Sequence, residues 1–451
     1  MSDIVVSMML LGALSNAGVM PFWATANQYG IMPETSGTMT WMQAASQFDG
    51  SKTLQWRWGV SAAVTQDDFA LQRPNDFLHT VDELYASLRW KVLTLDVGFK
   101  HRPQDFMAAS PALGSLSSIG GSLLWSGNSR EMPGYRITLS PWSVPGTQGH
   151  LQLLGSWGDF STTDTRFVQG CLVHAMQFAL RLRFGGFSFT GGIDHAAQWA
   201  GVSRNPLVGR QPSGFGDYLR ICIGATAGAS GTASDRQNAL GNHLGAIQLR
   251  FDYQGNGWQV TARHESPYED RSGMRFQNFP DGVNTLAFRF DDKDRWVSDI
   301  LYEFHYTKNQ SGTVERFYLT PEQVEQYKDD PRLYRYSEAE PYGLIVGGGD
   351  DYSNNGEYKS GWTAYGRSVG NPLFFPTGTR AGTWSPVGET LGVENNRLLA
   401  HHFALSGKLF RKVPYKLLLT YSLNYGRYRG PYDPDVVPAS RERPDYRDGT
   451  G

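Results

Sequence analysis

The chain has 451 residues, a formal net charge of −2, 19% charged residues and 13% aromatic residues. This near-neutral balance, without a basic stripe, argues against a nucleic-acid partner. Mean hydropathy is −0.41, and no stretch approaches the roughly 20 apolar residues that a membrane-spanning helix needs. A β-barrel is compatible with these values, because its strands alternate between lipid and lumen.

A chain of this length would normally form roughly two or three domains. Strand-like sequence with turn residues nevertheless runs from end to end without an interdomain linker. A large barrel is one of the few folds that stays a single domain at this length. We therefore expect one domain over residues 1–451.

Period-two alternation is the main structural signal. The apolar run at residues 4–14 predicts the first strand, and residues 1–3 lack the basic region of a cleavable signal peptide. The same alternation recurs in residues 54–64, 83–90, 93–100, 176–184, 300–306 and 403–409. It ends in residues 415–428, whose apolar face carries Tyr415, Leu417, Leu419, Tyr421, Leu423 and Tyr425. Tyrosines at both ends with leucines between them are typical of a lipid-facing strand.

A soluble β-sandwich is the alternative interpretation of this alternation. The polar faces, however, repeatedly carry Arg, Lys, Glu and Asp. The strands also run to about ten residues, which is the length that crosses a bilayer when tilted and exceeds the usual five or six. We therefore predict an all-β fold, a large antiparallel transmembrane β-barrel of roughly 16 strands.

A barrel of this size leaves a wide interior that must be plugged or must conduct. Four long insertions are the candidate loops and plug: residues 105–133, 203–214, 265–281 and above all 308–395. Within the last, a short helix is expected after Thr320, which suits the N-cap, with Pro321 at the first helical position.

The cysteines and the C-terminal residues leave two points open. Cys171 and Cys222 lie on separate predicted strands, where free buried thiols are favoured and a disulfide is the alternative. Residues 441–451 do not form an amphipathic closing strand. An unpaired edge is not viable in lipid, so one or two closing strands are expected to be absent from this sequence.

Six segments, in order along the chain, resemble the Wzi capsule assembly family in its Bacteroidetes form. They are residues 21–30, 126–133, 269–276 with 280–282, 307–312, 361–363 with 370–373, and 395–402. The resemblance implies an outer-membrane barrel of about eighteen strands that acts as a lectin for capsular polysaccharide. Enterobacterial members also carry a pore-blocking helical bundle. This sequence has no multi-helix segment, so a folded-in loop plug is expected in its place.

Residues 350–359 form the richest patch of sugar-binding residue types. Aromatic rings stack on the apolar faces of sugars, while Asn, Asp and Glu bond to hydroxyls. The glycan-binding candidates are Asp351, Tyr352, Asn354, Asn355, Tyr358 and Trp362. Asn and Gly building turns is the alternative. The run lacks the spacing of a calcium loop, so no metal is expected.

Charged residues near the insertions predict a network between plug and wall rather than a catalytic site. Its candidates are Arg130, Glu269, Asp270, Arg271, Arg275 and Arg397. Glu269 and Asp270 are neighbours and do not suit a glycosidase pair, whose carboxyls face each other across a bond. His401 and His402 would point to opposite faces of a strand, so they cannot chelate jointly. No nucleotide, zinc or nucleophile motif is present.

The sequence therefore predicts a bacterial outer-membrane barrel with surface loops, no catalytic residues and no cofactor, that binds or anchors capsular or other surface polysaccharide. The expected partners are this glycan, outer-membrane lipid and other outer-membrane proteins. Two alternatives stay open: a structural subunit of a larger outer-membrane complex, and a passive porin.

Overall fold

The computed structural model describes residues 4–14, 20–66, 81–101, 114–120, 122–227, 239–269, 271–311, 315–326, 328, 333–334, 342–346, 350–376 and 392–427. The strands are β1 (Ile4–Ala13), β2 (Gly37–Ser46), β3 (Leu54–Gln66), β4 (Val81–Trp90), β5 (Leu93–Phe99), β6 (Gly134–Ser143), β7 (Leu151–Ser161), β8 (Val168–Gln169), β9 (Leu172–Phe184), β10 (Phe187–Trp199), β11 (Val202–Ser203), β12 (Asn242–Gln254), β13 (Trp258–Tyr268), β14 (Gly282–Phe290), β15 (Asp299–Tyr306), β16 (Glu315–Tyr318), β17 (Leu333–Tyr334), β18 (Gly343–Val346), β19 (Thr363–Ala364), β20 (Arg367–Ser368), β21 (Phe375–Pro376), β22 (Val393–Asn395), β23 (Leu398–Leu409) and β24 (Val413–Asn424). The helices are α1 (Phe22–Thr25), α2 (Phe215–Ile223), α3 (Arg271–Met274) and α4 (Pro321–Gln326).

Fifteen strands form one antiparallel sheet in the order β1-β2-β3-β4-β5-β6-β7-β9-β10-β12-β13-β14-β15-β23-β24. Each strand pairs with its neighbours in this order, and β23 and β24 stay in register from Leu398 opposite Asn424 to Leu409 opposite Val413. Among the described residues, β1 and β24 are the two edges and do not pair with each other. None of the described helices has the length and apolar character needed to cross a membrane.

The connections between these strands alternate strictly between short and long. The short ones are residues 47–53, 91–92, 144–150, 185–186, 255–257, 291–298 and 410–412. The long ones are residues 14–36, 67–80, 100–133, 162–171, 200–241, 269–281 and 307–397. Because neighbouring strands are antiparallel, the strand ends joined by short turns all lie at one end of the sheet, and those joined by long connections all lie at the other. Outer-membrane barrels show this asymmetry, with short turns in the periplasm and long loops at the cell surface.

The sheet is apolar on its outer face and polar on its inner face. On β10, Phe187, Phe189 and Ile193 are 52%, 45% and 45% exposed, whereas Thr190 and Asp194, which point to the other face, are fully buried. A water-soluble protein reverses this arrangement, because exposed apolar surface and buried charge both cost free energy in water. The outer face of the sheet therefore meets lipid.

The hydrophobic core lies on the inner side of the sheet. Its largest cluster joins inward residues of the wall, Phe160, Val173 and Leu244 among them, to residues of the connections such as Ile119 and Trp362. A second cluster packs Phe22 and Trp23 near residues of β23. Trp23, which precedes β2, also donates a hydrogen bond to Thr420 on β24 at 3.0 Å. The two edges of the sheet therefore approach the same interior segment, and the sheet curves around it.

The predicted all-β class is confirmed, and the predicted alternation appears as exposed apolar and buried polar faces. The described sheet has fifteen strands, against roughly 16 expected from the alternation and about eighteen implied by the resemblance. The helix after Thr320 is α4, and Thr320 and Gln323 cap each other reciprocally, at 2.9 and 3.4 Å. Residues 441–451 lie outside the described residues.

Three expectations need correction. Residues 265–268 belong to β13, so the predicted insertion at 265–281 begins later. Cys222 lies on α2 rather than on a strand, because residues 215–223 are capped as a helix, and Cys171 precedes β9. Both thiols are buried and free. The cysteines are thus not joined by a disulfide, which the sequence alone had left open.

Leu180 on β9 tests which face meets lipid. We expect Leu180→Arg to lower the free energy of unfolding by about 2–4 kcal/mol, because it places a charge among acyl chains. The matched control is Gln148→Arg in the exposed turn of residues 144–150, which should change little. Denaturant titration in phospholipid vesicles measures both. Equal losses at the two positions would contradict a lipid-facing outer surface.

Candidate functional site

The interior of the barrel is filled by parts of its own long connections. We call the described residues of segments 20–36, 114–133 and 350–376 the plug. Trp362 is 1% exposed, donates from Nε1 to the Leu124 carbonyl at 2.7 Å and meets Trp125 edge to face at 5.1 Å. Trp125 in turn contacts Phe160 on the inner face of β7. An aromatic chain therefore joins the plug to the wall.

Glu303 on β15 is the most heavily bonded anchor between wall and plug. Its fully buried carboxylate accepts hydrogen bonds from the Ser117 hydroxyl at 2.6 Å and from the Ser118 N–H and hydroxyl at 2.7 and 2.6 Å. Thr285 donates a fourth, at 3.2 Å. The Ser118 oxygen also lies 2.7 Å from Nε2 of His305. Since the single Ser118 hydroxyl proton goes to Glu303, the histidine is the donor in this pair.

Other strands hold the same plug segment. Asp194 on β10 accepts from the Ser122 hydroxyl at 3.1 Å, and Glu265 on β13 accepts from the Leu123 N–H at 2.8 Å. His402 on β23 lies 2.8 Å from the Leu116 carbonyl. Arg130, at the other end of the segment, donates to the Val81 carbonyl on β4 at 2.9 Å. Strands from β4 to β23 therefore contact residues 114–133, and the wall surrounds them.

Asp281 organises a second anchor where the connection after β13 meets the one after β15. Its carboxylate accepts from the N–H groups of Asn309 and Gln310 at 2.8 and 2.6 Å. The Tyr352 hydroxyl donates to it at 2.8 Å. Burial raises the pKa of Asp281 to about 6, although these donors and Arg397 oppose the rise. This carboxyl therefore takes up its proton more readily in the folded chain than in the unfolded one.

The predicted glycan-binding residues lie within the plug. Tyr352, Tyr358 and Trp362 are 2%, 4% and 1% exposed. The hydroxyl of Tyr358 donates to the Ala200 carbonyl at 3.3 Å. With their rings buried by protein and their polar ends bonded, these three side chains make structural contacts in this conformation.

The other three candidates shape the chain around these rings. Asn354 donates to Asp351 at 2.8 Å and to the Val393 carbonyl at 3.0 Å. Asn355 accepts from two N–H groups further along the same loop, both at 2.9 Å. Asp351 also accepts from Asn396 at 2.6 Å and from Arg427. Glycan contact by these residues stays a prediction.

Three of the six residues predicted to form the plug network make contacts within the part of the chain that the structure describes. Arg130 contacts the wall as given above, Glu269 accepts from the Ser353 N–H, and Arg397 donates to the Lys308 carbonyl at 3.1 Å. Arg275 is exposed beyond α3. Asp270 and the side chain of Arg271 lie outside the described residues.

Adjacent histidines on β23 face opposite sides, as strand geometry requires. His401 is exposed and lies 2.8 Å from the Tyr302 hydroxyl on the outer face, whereas His402 is fully buried against the plug. Within the described ranges, no group of three or more His, Cys, Asp or Glu residues could hold a metal ion.

A narrow cleft opens at the end of the barrel that carries the long connections. Its lining combines three aromatic rings, two carboxyls and a guanidinium: Tyr29, Val81, Asp82, Phe99, Arg130, Glu131 and Tyr365. We call it the rim cleft. Sequence reasoning missed it because its residues come from four distant parts of the chain. Tyr29, Arg130 and Glu131 do lie in segments already singled out by the resemblance, and Arg130 is also a candidate for the plug network.

The floor of the rim cleft is rigidly held. The Tyr29 ring stacks on His101 with centroids 3.6 Å apart and planes 6° from parallel. Nε2 of His101 lies 2.7 Å from Asp82. Asp82 also accepts from Trp41 and Ser61, both at 2.8 Å. These contacts therefore fix the positions of the Tyr29 ring and of the buried Asp82 carboxylate in the cleft lining.

No protein-family model and no curated protein matches the chain. Among solved structures, Acinetobacter baumannii OccAB4 is similar over 94% of this chain and 93% of its own, at 7% identity and a TM-score of 0.32. Pseudomonas aeruginosa OccD3 (OpdP) is similar over 86% of this chain and 81% of its own, at 9% identity and a TM-score of 0.31. A triple mutant of the Rhodopseudomonas blastica porin is similar over 60% of this chain and 85% of its own, at 10% identity and a TM-score of 0.26.

The inverted polarity of the sheet, the alternation of short turns and long connections, and the enclosed plug define the class of protein. The chain is a β-barrel of the bacterial outer membrane, and its long connections begin at the cell surface.

Glu303→Ala tests the anchoring of the plug. We expect it to lower the free energy of unfolding by about 3–5 kcal/mol, because the buried donors of Ser117 and Ser118 lose their charged acceptor. Conductance in a planar bilayer should rise as the plug loosens. The control is Glu325→Ala on α4, whose exposed pair with Lys328 should be worth less than about 1 kcal/mol. Equal effects of the two variants, or unchanged conductance, would contradict the anchor.

Asp281 predicts a pH dependence. Because its pKa rises from an ordinary 3.8 to about 6 in the folded chain, the folded state binds more protons between these values. Its contribution to stability is therefore present below about pH 4 and falls by about 3 kcal/mol as pH rises to about 6. Asp281→Asn should flatten this part of the profile, whereas Asp292→Asn in an exposed turn should not. Denaturant titration at a series of pH values measures the free energy of unfolding of each variant. Parallel pH profiles for Asp281→Asn and the unsubstituted chain would overturn this assignment.

Proposed function

We propose that this chain is a lectin-like outer-membrane barrel that binds or anchors capsular polysaccharide, as the resemblance to the Wzi family implies. The observation that carries the proposal is the rim cleft, where aromatic rings and charged groups converge on the surface side of a plugged barrel. Sugars are recognised by such a combination, since rings cover their apolar faces and carboxyls or guanidinium groups bond to their hydroxyls.

Contacts between the segments that resemble the family support the proposal. The Asn27 N–H donates to Asn128 at 3.4 Å, and the Tyr29 N–H donates to the Gly127 carbonyl at 2.6 Å. The Ser126 hydroxyl donates to the Gly370 carbonyl at 2.6 Å. Segments 21–30, 126–133 and 370–373 thus form one body beneath the rim cleft, although the bonded residues are 101 and 244 positions apart in sequence.

The remaining segments meet in the second anchor. Gln310 donates to Asn396 at 3.3 Å, and Thr307 donates to the Asn396 carbonyl at 2.8 Å. Asp281 joins them through the N–H groups of Asn309 and Gln310. A role in building a common scaffold explains why these separated motifs would occur together. We propose that this scaffold binds glycan without catalysing a reaction.

Two alternatives make different predictions. A scaffold subunit of a larger complex would co-purify with stoichiometric protein partners and would not retain capsule. A passive porin would give a steady, large conductance, which the anchored plug argues against. Deletion of the gene followed by imaging of the capsule layer separates a role in capsule from both, since an unchanged surface glycan would favour the scaffold.

Tyr365 in the rim cleft tests glycan binding. We expect Tyr365→Ala to weaken retention of purified capsular polysaccharide by about tenfold, which corresponds to ~1.4 kcal/mol, because a ring is lost from the lining. Tyr365→Phe keeps the ring and should bind nearly as well. Phe410→Ala removes an exposed ring in a short turn at the opposite end and should bind normally.

The assay is a pull-down on immobilised capsule, with circular dichroism to verify that each variant is folded. No retention of the unsubstituted chain would overturn the proposed function. Equal retention by Tyr365→Ala and Phe410→Ala would place binding outside the rim cleft.

A further inference from the structure

Helix α2 lies in the long connection between β10 and β12. Its first turn is capped by Asp217, whose carboxylate accepts from the Gly214 N–H at 3.0 Å. It ends at Gly224, whose φ of +62° is the left-handed conformation that glycine adopts readily at a helix C-terminus. The contacts given above for the plug and the rim cleft do not involve this helix.

The inner side of α2 is docked on the outer face of the barrel. Asp159 on β7 and His174 on β9 are cross-strand partners and alternate with the inward Phe160 and Val173, so their side chains point outward. His174 is nevertheless fully buried. The Tyr218 hydroxyl on α2 covers this pair, donating to Asp159 at 3.0 Å. The helix therefore sits outside the wall.

Further contacts fix the helix in this position. Trp157, on the outer face of β7, donates from Nε1 to the Tyr218 oxygen at 3.2 Å. Ile221 is fully buried in a cluster with Ala197 and Trp199 of β10 and with Leu240. Helix α2 thus covers Asp159, His174 and Ala197 on the outer face of the sheet, at the end that carries the long connections.

On another side of α2 lies an apolar stripe that the described residues leave exposed. Phe215, Leu219 and Ile223 recur at four-residue spacing and are 76%, 50% and 79% exposed. Four-residue spacing puts them on one face of the helix. We call these three residues the α2 stripe.

The α2 stripe continues the lipid-facing surface of the sheet. Phe178 on β9 and Ile193 on β10 are paired on the outer face and are 55% and 45% exposed. The next outward row toward the long connections contains Trp157, 38% exposed, which contacts α2. The row after that holds Asp159 and His174, which α2 covers. His195 on β10 lies in the same row as Trp157 but is only 6% exposed, so the exposed surface that passes from the strands onto the helix is mainly apolar.

We propose that α2 is an interfacial helix whose stripe is buried in the acyl chains of outer-membrane lipid, near the headgroups of the surface leaflet. A helix with one side docked on the protein and one apolar, open side lies in this region of a membrane, and Trp and Tyr residues such as Trp157 and Tyr218 are enriched there. The inference depends on the barrel but is independent of glycan binding.

Spin labels on introduced cysteines test the position of the helix in proteoliposomes. Leu219→Cys and Ile223→Cys place labels on the α2 stripe. Leu180→Cys on β9 is the lipid control, and Lys52→Cys in an exposed short turn is the water control. The unsubstituted chain, whose Cys171 and Cys222 are buried, gives the background. Collision with oxygen, which partitions into lipid, is compared with collision with a water-soluble nickel chelate.

The proposal predicts high oxygen and low nickel accessibility at both stripe positions, shifted toward the values of Leu180→Cys. Values like those of Lys52→Cys would place the stripe in water and overturn it. Labels that are immobilised and inaccessible to both reagents would show that protein covers the stripe, which would also overturn it. Since both native side chains are exposed, these substitutions should leave folding unchanged.

Discussion

The structure depends on one constraint: in lipid, every backbone polar group of the wall must find its partner within the sheet. Between neighbours in the sheet order, the fifteen described strands meet it with local antiparallel pairing alone, and the outer edges of β1 and β24 are the exception. Tight turns at one end make this pairing possible without crossovers. The other end carries the long connections. The topology of the wall therefore determines at which end of the barrel a surface-exposed site can form.

The same constraint makes the interior polar and therefore in need of partners. Wall carboxylates such as Glu303, Glu265 and Asp194 would be costly if buried alone. They are bonded instead by serine hydroxyls and backbone N–H groups of residues 117–123. The plug thus supplies hydrogen-bond donors to the buried carboxylates of the wall, and these bonds hold the plug in position. The rim cleft is a consequence, because its floor is built from wall residues and plug residues together.

The alternation of the strands was predictable from sequence because it is a local property with a period of two. The helix after Thr320 was predictable for the same reason, since its cap lies within four residues. Long-range contacts were not. The sugar-like composition of residues 350–359 gives no indication that Tyr352, Tyr358 and Trp362 are buried, because burial is decided by segments far away in sequence. The stripe of α2 was hidden by short helical length and by the strand-like context around it.

The central claim is that the apolar outer face of the sheet meets acyl chains. Its most direct test is to remove detergent from the purified chain and follow the β-sheet circular dichroism signal together with the sedimentation coefficient. The account predicts that the chain stays folded and monodisperse only with detergent or lipid present, and that it aggregates in plain buffer. A folded, monomeric chain in buffer without any amphiphile would contradict it.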